Sequence, residues 1–166
     1  ITSSDITRAV VRRNFANGTT YDMYEHNISS DNTTTSGASN LYDSTFYFLT
    51  SDNRVYKVLD NNGGTAYSGS EPTSESTSPF ALGGYVLKYM YTISSSDAAK
   101  FLTTDFMPVS TDSTVSAAAT DGAIESLIVT AGSGYTDGTY YAAVFGDGTS
   151  QGTSSGAIVR ITVSGG

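Results

Sequence analysis

The stretch that most restricts the fold is residues 85–93, YVLKYMYTI, where a large apolar or aromatic side chain recurs at every second position. In an extended strand these side chains share one face: Tyr85, Leu87, Tyr89, Tyr91 and Ile93. The opposite face carries a mixture of apolar and polar side chains. The alternation therefore predicts a strand with one face in the core and the other partly covered.

The overall composition favours more strands of this kind. The 166 residues include 12 Tyr, 7 Phe and 17 Gly, with no Cys and no Trp. Tyrosine and threonine suit pleated, half-buried surfaces, whereas glycine is typical of turns. A chain of this length can bury its own core. The predicted fold is mainly β, with a β-sandwich-like core, a short helix and a small antiparallel C-terminal meander.

In the N-terminal half, a strand is expected around residues 8–13, followed by a turn at Asn17-Gly18. Residues 29–40 are polar and aperiodic, which indicates a surface loop. The β-rich runs 44–50 and 54–60 are separated by three polar residues, and this spacing predicts a hairpin.

Residues 61–82 contain no His, Lys or Arg, and they are predicted to form a long, exposed surface loop rather than a catalytic lid. After the strand at 85–93, Ser94 to Asp97 offer capping hydroxyls and an early carboxylate for a short helix. Pro108 favours an extended conformation for Met107, so a strand should follow the helix.

The C-terminal part begins after a change of composition, and three units are predicted: a β-rich core at 1–110, a linker at 111–122 and a Gly-rich β module at 123–166. Within the module, strands are expected at 123–132, 139–147 and 156–165, joined by glycine-rich turns. Three strands with one apolar face are about the minimum for independent stability.

The formal net charge of −8 excludes whole classes of partner. Such a field repels nucleic-acid phosphates and anionic membranes, and Arg12-Arg13 is the only basic cluster. No apolar run approaches the roughly 18–20 residues of a membrane span. The start at Ile1 and the end just after a strand-like run suggest a fragment of a longer chain.

No residue has a sequence context that indicates a catalytic or metal-binding role. His26 is the single histidine, and its neighbours show no nucleophile motif. A zinc site with two or more His or Cys ligands is excluded, because the chain has one histidine and no cysteine. Acidic residues mostly sit in turn sequences such as Asp52-Asn53 and Asp60-Asn61, which Asx turns explain. The sequence does not exclude a catalytic pair of carboxylates that come together only in the fold. It also does not exclude a calcium site, although no EF-hand spacing is present.

Four sequence blocks occur in a distinctive order: RAVVRRNFANGTTYDMY (8–24), FYFLTSDNRVYKVLDNNGG (46–64), EPT (71–73) and GGYVLKYMYTISSSDAAKFLTTDFMPV (83–109). Together they resemble the baseplate wedge protein of T-even-type contractile-tailed bacteriophages, especially versions from marine cyanophages. The resemblance covers residues 5–109. Where family members often have Trp, this chain has Phe15 and Leu87, and Gly83-Gly84 replaces a more usual Asp-Gly. Residues 123–166 resemble Gly-rich β modules of phage structural proteins.

The resemblance implies a structural subunit of the virion, dimeric in the family, that contacts other baseplate proteins and has no catalytic residue, cofactor or metal. An alternative is a carbohydrate-binding or host-recognition module of a tail fibre, in which Tyr85, Tyr89 and Tyr91 would form a sugar-stacking platform. Core packing explains these tyrosines better, because their strand alternates cleanly. The weakest alternative is a glycan-cleaving tail enzyme.

Overall fold

The computed structural model describes residues 5–118, 132–144 and 158–165. Contacts divide the chain into two compact units, Ile1–Ile128 and Val129–Gly166. The strands and helices described in the first unit are β1 (Arg8–Val11), β2 (Tyr47–Leu49), β3 (Arg54–Asp60), β4 (Phe80–Leu82), β5 (Tyr85–Thr92), α1 (Ser95–Phe101), β6 (Phe106–Val109) and α2 (Ser113–Ala118). Those of the second unit are β7 (Gly138–Ala143) and β8 (Ile158–Val163).

The centre of the first unit is a four-stranded antiparallel sheet with the order β2-β3-β5-β4. The predicted hairpin is confirmed, because β2 pairs with β3 across the polar residues 51–53. Asn53 adopts a positive φ of 62° in this turn, and its N–H donates to the carbonyl of Thr50 at 3.1 Å. Asparagine tolerates the left-handed conformation better than most residues, so the turn suits this sequence.

The prediction of an exposed loop over residues 61–82 is wrong at its end and in its middle. Residues 80–82 form β4, which pairs with β5 through a two-residue turn at Gly83 and Gly84. Both glycines have positive φ, 62° and 85°, as a type I′ hairpin turn requires. Tyr67, in the middle of the segment, is fully buried, and a Cβ on Gly83 would lie 2.5 Å from its ring.

A β-bulge at Met90 changes the predicted pattern of β5. Tyr89 lies opposite Tyr56, and Tyr91 lies opposite the preceding residue, Val55, so Met90 is an extra residue on β5. Tyr85 and Leu87 are fully buried, which confirms that the strand packs in the core. The prediction of a single shared face is nevertheless wrong, since the side chains beyond the bulge belong to a different cluster.

The first cluster covers one face of the four-stranded sheet. Its fully or nearly buried members are Tyr21, Phe48, Tyr56, Val58, Tyr67, Tyr85 and Leu87. Tyr21 and Tyr67 come from the connecting segments, and Phe15 packs edge-on against Tyr67 with ring centroids 5.3 Å apart. Irregular segments, rather than a second sheet, therefore close this side of the core.

The second cluster joins the four-stranded sheet to the antiparallel pair β1–β6. Its buried members are Leu49, Val55, Ile93 and Met107, and partly buried residues of β1, β2, β5 and α1 pack against it. The predicted helix is confirmed as α1, whose cap Ser94 accepts a hydrogen bond from the N–H of Asp97 at 3.0 Å. Two packed sheets on this side agree with the predicted mainly β, sandwich-like fold.

In the second unit, β7 and β8 form an antiparallel pair in which Tyr140 lies opposite Ile161 and Tyr141 lies opposite Arg160. The predicted strand at 123–132 lies almost wholly outside the described residues. Helix α2, at Ser113–Ala118, falls inside the segment predicted as a linker. Within the described ranges, no helix is both long and apolar enough to cross a membrane.

Candidate interaction surfaces

A fully buried carboxylate, Asp22, organises the segments that cover the first cluster. Its Oδ1 accepts the N–H of Ser36 at 2.7 Å, and its Oδ2 accepts the Ser36 hydroxyl at 2.7 Å, the N–H of Thr45 at 2.8 Å and the Ser44 hydroxyl at 3.1 Å. Burial alone would raise the pKa of Asp22, but the hydrogen bonds from Thr45 and Ser36 outweigh it and lower the pKa. The carboxylate is thus held ionised and out of contact with solvent, which suits structure rather than proton transfer.

Six tyrosines of the first unit each donate the hydroxyl to a backbone carbonyl, which lies in an irregular segment in four cases and in β1 or β6 in the other two. These are Tyr21, Tyr47, Tyr56, Tyr67, Tyr85 and Tyr91. Burial raises their pKa values, to about 12 for Tyr56 and for Tyr91. The rings fill the core while the hydroxyls satisfy backbone carbonyls, the usual role of a buried tyrosine.

The platform that the carbohydrate alternative requires is absent from β5. Tyr85 is fully buried, and Tyr89 and Tyr91 are half-buried and belong to different clusters. The strongly exposed tyrosines are found elsewhere: Tyr42 is 67% exposed, and in the second unit Tyr135 is 62% and Tyr141 is 72% exposed.

The residues considered for chemistry have local, structural contacts or none that is described. His26 is exposed in a turn and makes no hydrogen bond with a described residue. Asp52 forms an ion pair with Arg54 at 2.7 Å. Asp60 accepts the N–H of Asn62 at 2.7 Å, as expected for an Asx turn. Across residues 5–118, 132–144 and 158–165, no group of three or more His, Cys, Asp or Glu side chains could hold a metal ion.

A different set of side chains forms what we call the cation–aromatic patch: Arg13, Tyr24, Phe46, Tyr47, Lys57 and Lys88. Lys57 and Lys88 lie directly opposite each other on β3 and β5, and Lys57 is also paired with Tyr47 on β2. Directly opposed residues point to the same face, so two like charges are placed side by side. Such a pair destabilises a sheet unless something compensates for it.

Aromatic rings border the two lysines. The Lys57 ammonium lies 3.5 Å from the centroid of the Tyr24 ring, and the Arg13 guanidinium lies 5.7 Å from that of Tyr47. The ring of Phe46 connects these two, at 5.2 Å from Tyr24 and 5.0 Å from Tyr47. Lysine and arginine supply the charge, and the rings supply apolar area.

Lys57 makes no hydrogen bond or ion pair with any described residue. Burial, together with the neighbouring Lys88, lowers the pKa of Lys57. An anionic group placed over the patch would favour the charged form of Lys57 and offset the repulsion. No signal in the sequence marks this site, because which lysines meet depends on the register of β3 against β5.

A second surface is an open groove of about 1060 Å³ lined by residues of β1, β5, β6 and α2. Ile6, 68% exposed, and Met90, 47% exposed, provide apolar area in it, and Arg8 and Asp112 provide charges of both signs. The bulge that displaces Met90 from the regular pairing is thus also what gives the groove part of its lining.

Comparison of the chain with known protein families, sequences and structures identifies no related protein. No protein-family model matches the chain, and no significant match is found among curated proteins or solved structures.

Proposed function

We propose that the chain is a structural component of a contractile-tail baseplate of a bacteriophage, of the wedge type, and that it acts by protein–protein assembly without catalysis. The observation that carries the proposal is the ordered set of sequence blocks at 8–24, 46–64, 71–73 and 83–109. These blocks contain β1, the β2–β3 hairpin and the continuous β5-α1-β6 segment. The resemblance therefore follows whole structural elements.

The character of the surfaces supports an assembly role. The buried polar groups, Asp22 above all, are used in fixing irregular segments against the sheet. Ordered segments and pre-formed surfaces reduce the entropy lost when a subunit binds its neighbours. In this proposal the virion baseplate is the site of action, and other baseplate proteins and a second copy of the chain are the partners.

The cation–aromatic patch is the surface that we assign to a neighbouring subunit, through an acidic segment of that subunit. Charge complementarity favours such a segment, since Lys57 has a positive charge with no counterion among the described residues. Aromatic and arginine side chains are also the types enriched at protein interfaces. The net charge of −8 disfavours a long polyanion on the same surface.

The first test is immunogold labelling of intact virions with antibody against this chain, read by electron microscopy. Gold at the distal plate of the tail is the expected result. Gold along the fibres would instead support host recognition, and absence from the particles would contradict both virion functions.

The second test is a charge reversal, Lys57→Glu, compared with Lys100→Glu on the exposed surface of α1. We expect Lys57→Glu to reduce incorporation into particles while the thermal stability of the chain stays close to that of the wild type. Lys100→Glu makes the same change in net charge away from the patch and should incorporate normally. Equal incorporation of both variants would contradict the assignment of the patch.

The second candidate function, glycan binding, is favoured by the exposed tyrosines of the second unit. Tyr135 and Tyr141 are 62% and 72% exposed, and exposed tyrosine rings can stack on sugars. A glycan array with the intact chain tests this candidate: saturable binding that Tyr141→Ala abolishes would support it.

A further inference from the structure

The chain contains two Asn-Gly sequences, Asn17-Gly18 and Asn62-Gly63, which differ in the hydrogen bonds that their side chains and backbone make. In such a pair the backbone nitrogen of the glycine can attack the side-chain amide carbon of the asparagine, because glycine has no Cβ to obstruct the approach. The reaction requires that both the glycine N–H and the asparagine side chain be free to move.

At Asn17-Gly18 both reacting groups are held. The side-chain Oδ1 of Asn17 accepts the N–H of Gly69 at 3.1 Å. The N–H of Gly18 donates to the carbonyl of Tyr67 at 2.9 Å. Tyr67 is itself fully buried, so this part of the backbone is tied to the core. Reaction here requires two hydrogen bonds to break first.

At Asn62-Gly63 neither group is held by a described residue. Asn62–Gly64 form one turn of 3-10 helix, whose hydrogen bonds come from the N–H groups of Gly64 and Thr65. Neither the Gly63 N–H nor the Asn62 side chain makes a hydrogen bond with a described residue. Asn62 is exposed and has a positive φ of 53°, a conformation that costs free energy for a non-glycine residue. Around Gly63, a Cβ would meet nothing within 4 Å, so the space beside this glycine is open.

We propose that Asn62 is a site of spontaneous deamidation in the folded chain, and that Asn17 is protected by the fold. The Gly63 nitrogen forms a bond to Cγ of Asn62, the bond from Cγ to Nδ2 breaks, and the amide nitrogen leaves as ammonia with the Gly63 proton. Water then opens the cyclic imide at one of its two carbonyls. Opening at Cγ breaks the new bond to the Gly63 nitrogen and gives aspartate. Opening at the backbone carbonyl leaves the main chain passing through the side chain of residue 62 and gives isoaspartate.

The products change the surface of the first unit. Each adds one negative charge beside Asp60, whose Oδ1 accepts the Asn62 N–H. The isoaspartate form also adds a carbon to the main chain next to Asn61, whose Nδ2 donates to the Tyr21 carbonyl at 3.0 Å and to the Thr35 hydroxyl at 3.1 Å. The modification would therefore act on the contacts that attach residue 35 and residue 21 to the end of β3.

The experiment is incubation of the folded full chain at mildly alkaline pH, followed by trypsin digestion and mass spectrometry. Cleavage after Arg13, Arg54, Lys57 and Lys88 puts Asn17 and Asn62 on different peptides, and fragmentation separates Asn62 from Asn61. The mass increase of each peptide measures deamidation only, because isomerisation of aspartate at the Asp-Gly sequences of the chain does not change the mass. Two hydrogen bonds at Asn17 should slow its reaction about thirtyfold relative to Asn62.

Two controls make the result decisive. In concentrated urea the hydrogen bonds are lost, and the two sites, each followed by glycine, should react at the same rate. The variant Asn62→Gln should remove the modification from its peptide, since glutamine would have to close a larger ring. Equal rates in the folded chain, or an Asn62 that reacts in urea but not in the folded chain, would overturn the proposal.

Discussion

Tyr56 and Tyr141 both lie in antiparallel strands, β3 and β7, yet Tyr56 is fully buried and Tyr141 is 72% exposed. The hydroxyl of Tyr56 donates to the carbonyl of Ser74, 18 residues away in the chain. In the second unit, the hydroxyl of Tyr140 donates to the carbonyl of Thr136, only four residues away. Tyr56 thus connects two distant segments, whereas Tyr140 makes a local bond.

The difference shows what the tyrosines of the first unit contribute beyond buried area. The long segment 61–79 has few apolar residues with which to attach itself to a sheet. Tyr56 and Tyr85 project from the sheet and offer this segment an apolar ring and, at its end, a donor for the carbonyls of Ser74 and Thr65. The polar segment is thereby ordered without a strand of its own.

The largest effect that the comparison predicts is at Tyr85. Its side chain is fully buried, its ring lies 5.3 Å from that of Tyr67, and its hydroxyl accepts the Tyr21 N–H at 3.1 Å and donates to the Thr65 carbonyl at 2.7 Å. We expect Tyr85→Ala to lower the free energy of unfolding by about 3–5 kcal/mol. Urea denaturation measures this loss.

The matched variant Tyr85→Phe keeps the ring and removes only the hydroxyl. It should lose about 1–3 kcal/mol, because the Tyr21 N–H is left buried without a partner. If Tyr85→Ala showed its full loss but Tyr85→Phe lost under about 1 kcal/mol, the tyrosine would be no more than a space-filling residue here, and the comparison would fail.

The next effect concerns Asp22, the fixed charge among these segments. Asp22→Ala removes the acceptor of two backbone N–H groups and two hydroxyls, and we expect a loss of about 3 kcal/mol. Asp22→Asn keeps one acceptor oxygen and should lose less. Hydrogen exchange at the amides of Ser36 and Thr45 would show whether the loss is local. Unchanged exchange there in Asp22→Ala would contradict the role that we assign to the carboxylate.

The same residue makes a prediction about pH. The folded pKa of Asp22 is lowered relative to the unfolded chain, so its contribution to stability is present above the unfolded pKa of about 3.9 and is lost as the pH falls through the folded pKa. Acid unfolding of Asp22→Asn should therefore be less steep in this range than that of the wild type. Identical acid titrations would contradict the lowered pKa.

The elements that the sequence predicted well are those with local signals. The β2–β3 hairpin follows from two β-rich runs around three polar residues, and α1 follows from the cap at Ser94. The elements that it missed depend on pairing. β4 is three residues long, and Gly83-Gly84, flanked by alternating apolar residues, was the turn signal that could have revealed it.

Other features had no local signal at all. The bulge at Met90 leaves the alternation of β5 unchanged in sequence, yet it separates Tyr89 from Tyr91 by placing them in different clusters. Lys57 and Lys88 are 31 positions apart, and only the register of β3 and β5 brings them together. Asp22 looks like an ordinary polar residue, because its burial depends on segments that fold over it. Candidate surfaces made by register and loop placement cannot be predicted from one sequence.

The smallest expected effect is at Tyr141, the exposed counterpart in the comparison. Its side chain is 72% exposed and shares a face of the β7–β8 pair with Arg160. Tyr141→Ala should change the free energy of opening of this pair by no more than about 0.5 kcal/mol, as measured by hydrogen exchange at the amides of the two strands. A loss as large as that of Tyr85→Ala would mean that a surface covers Tyr141 in solution. Both units would then need buried tyrosines for stability. They would differ only in what buries the ring: the unit's own segments for Tyr85, and another surface for Tyr141.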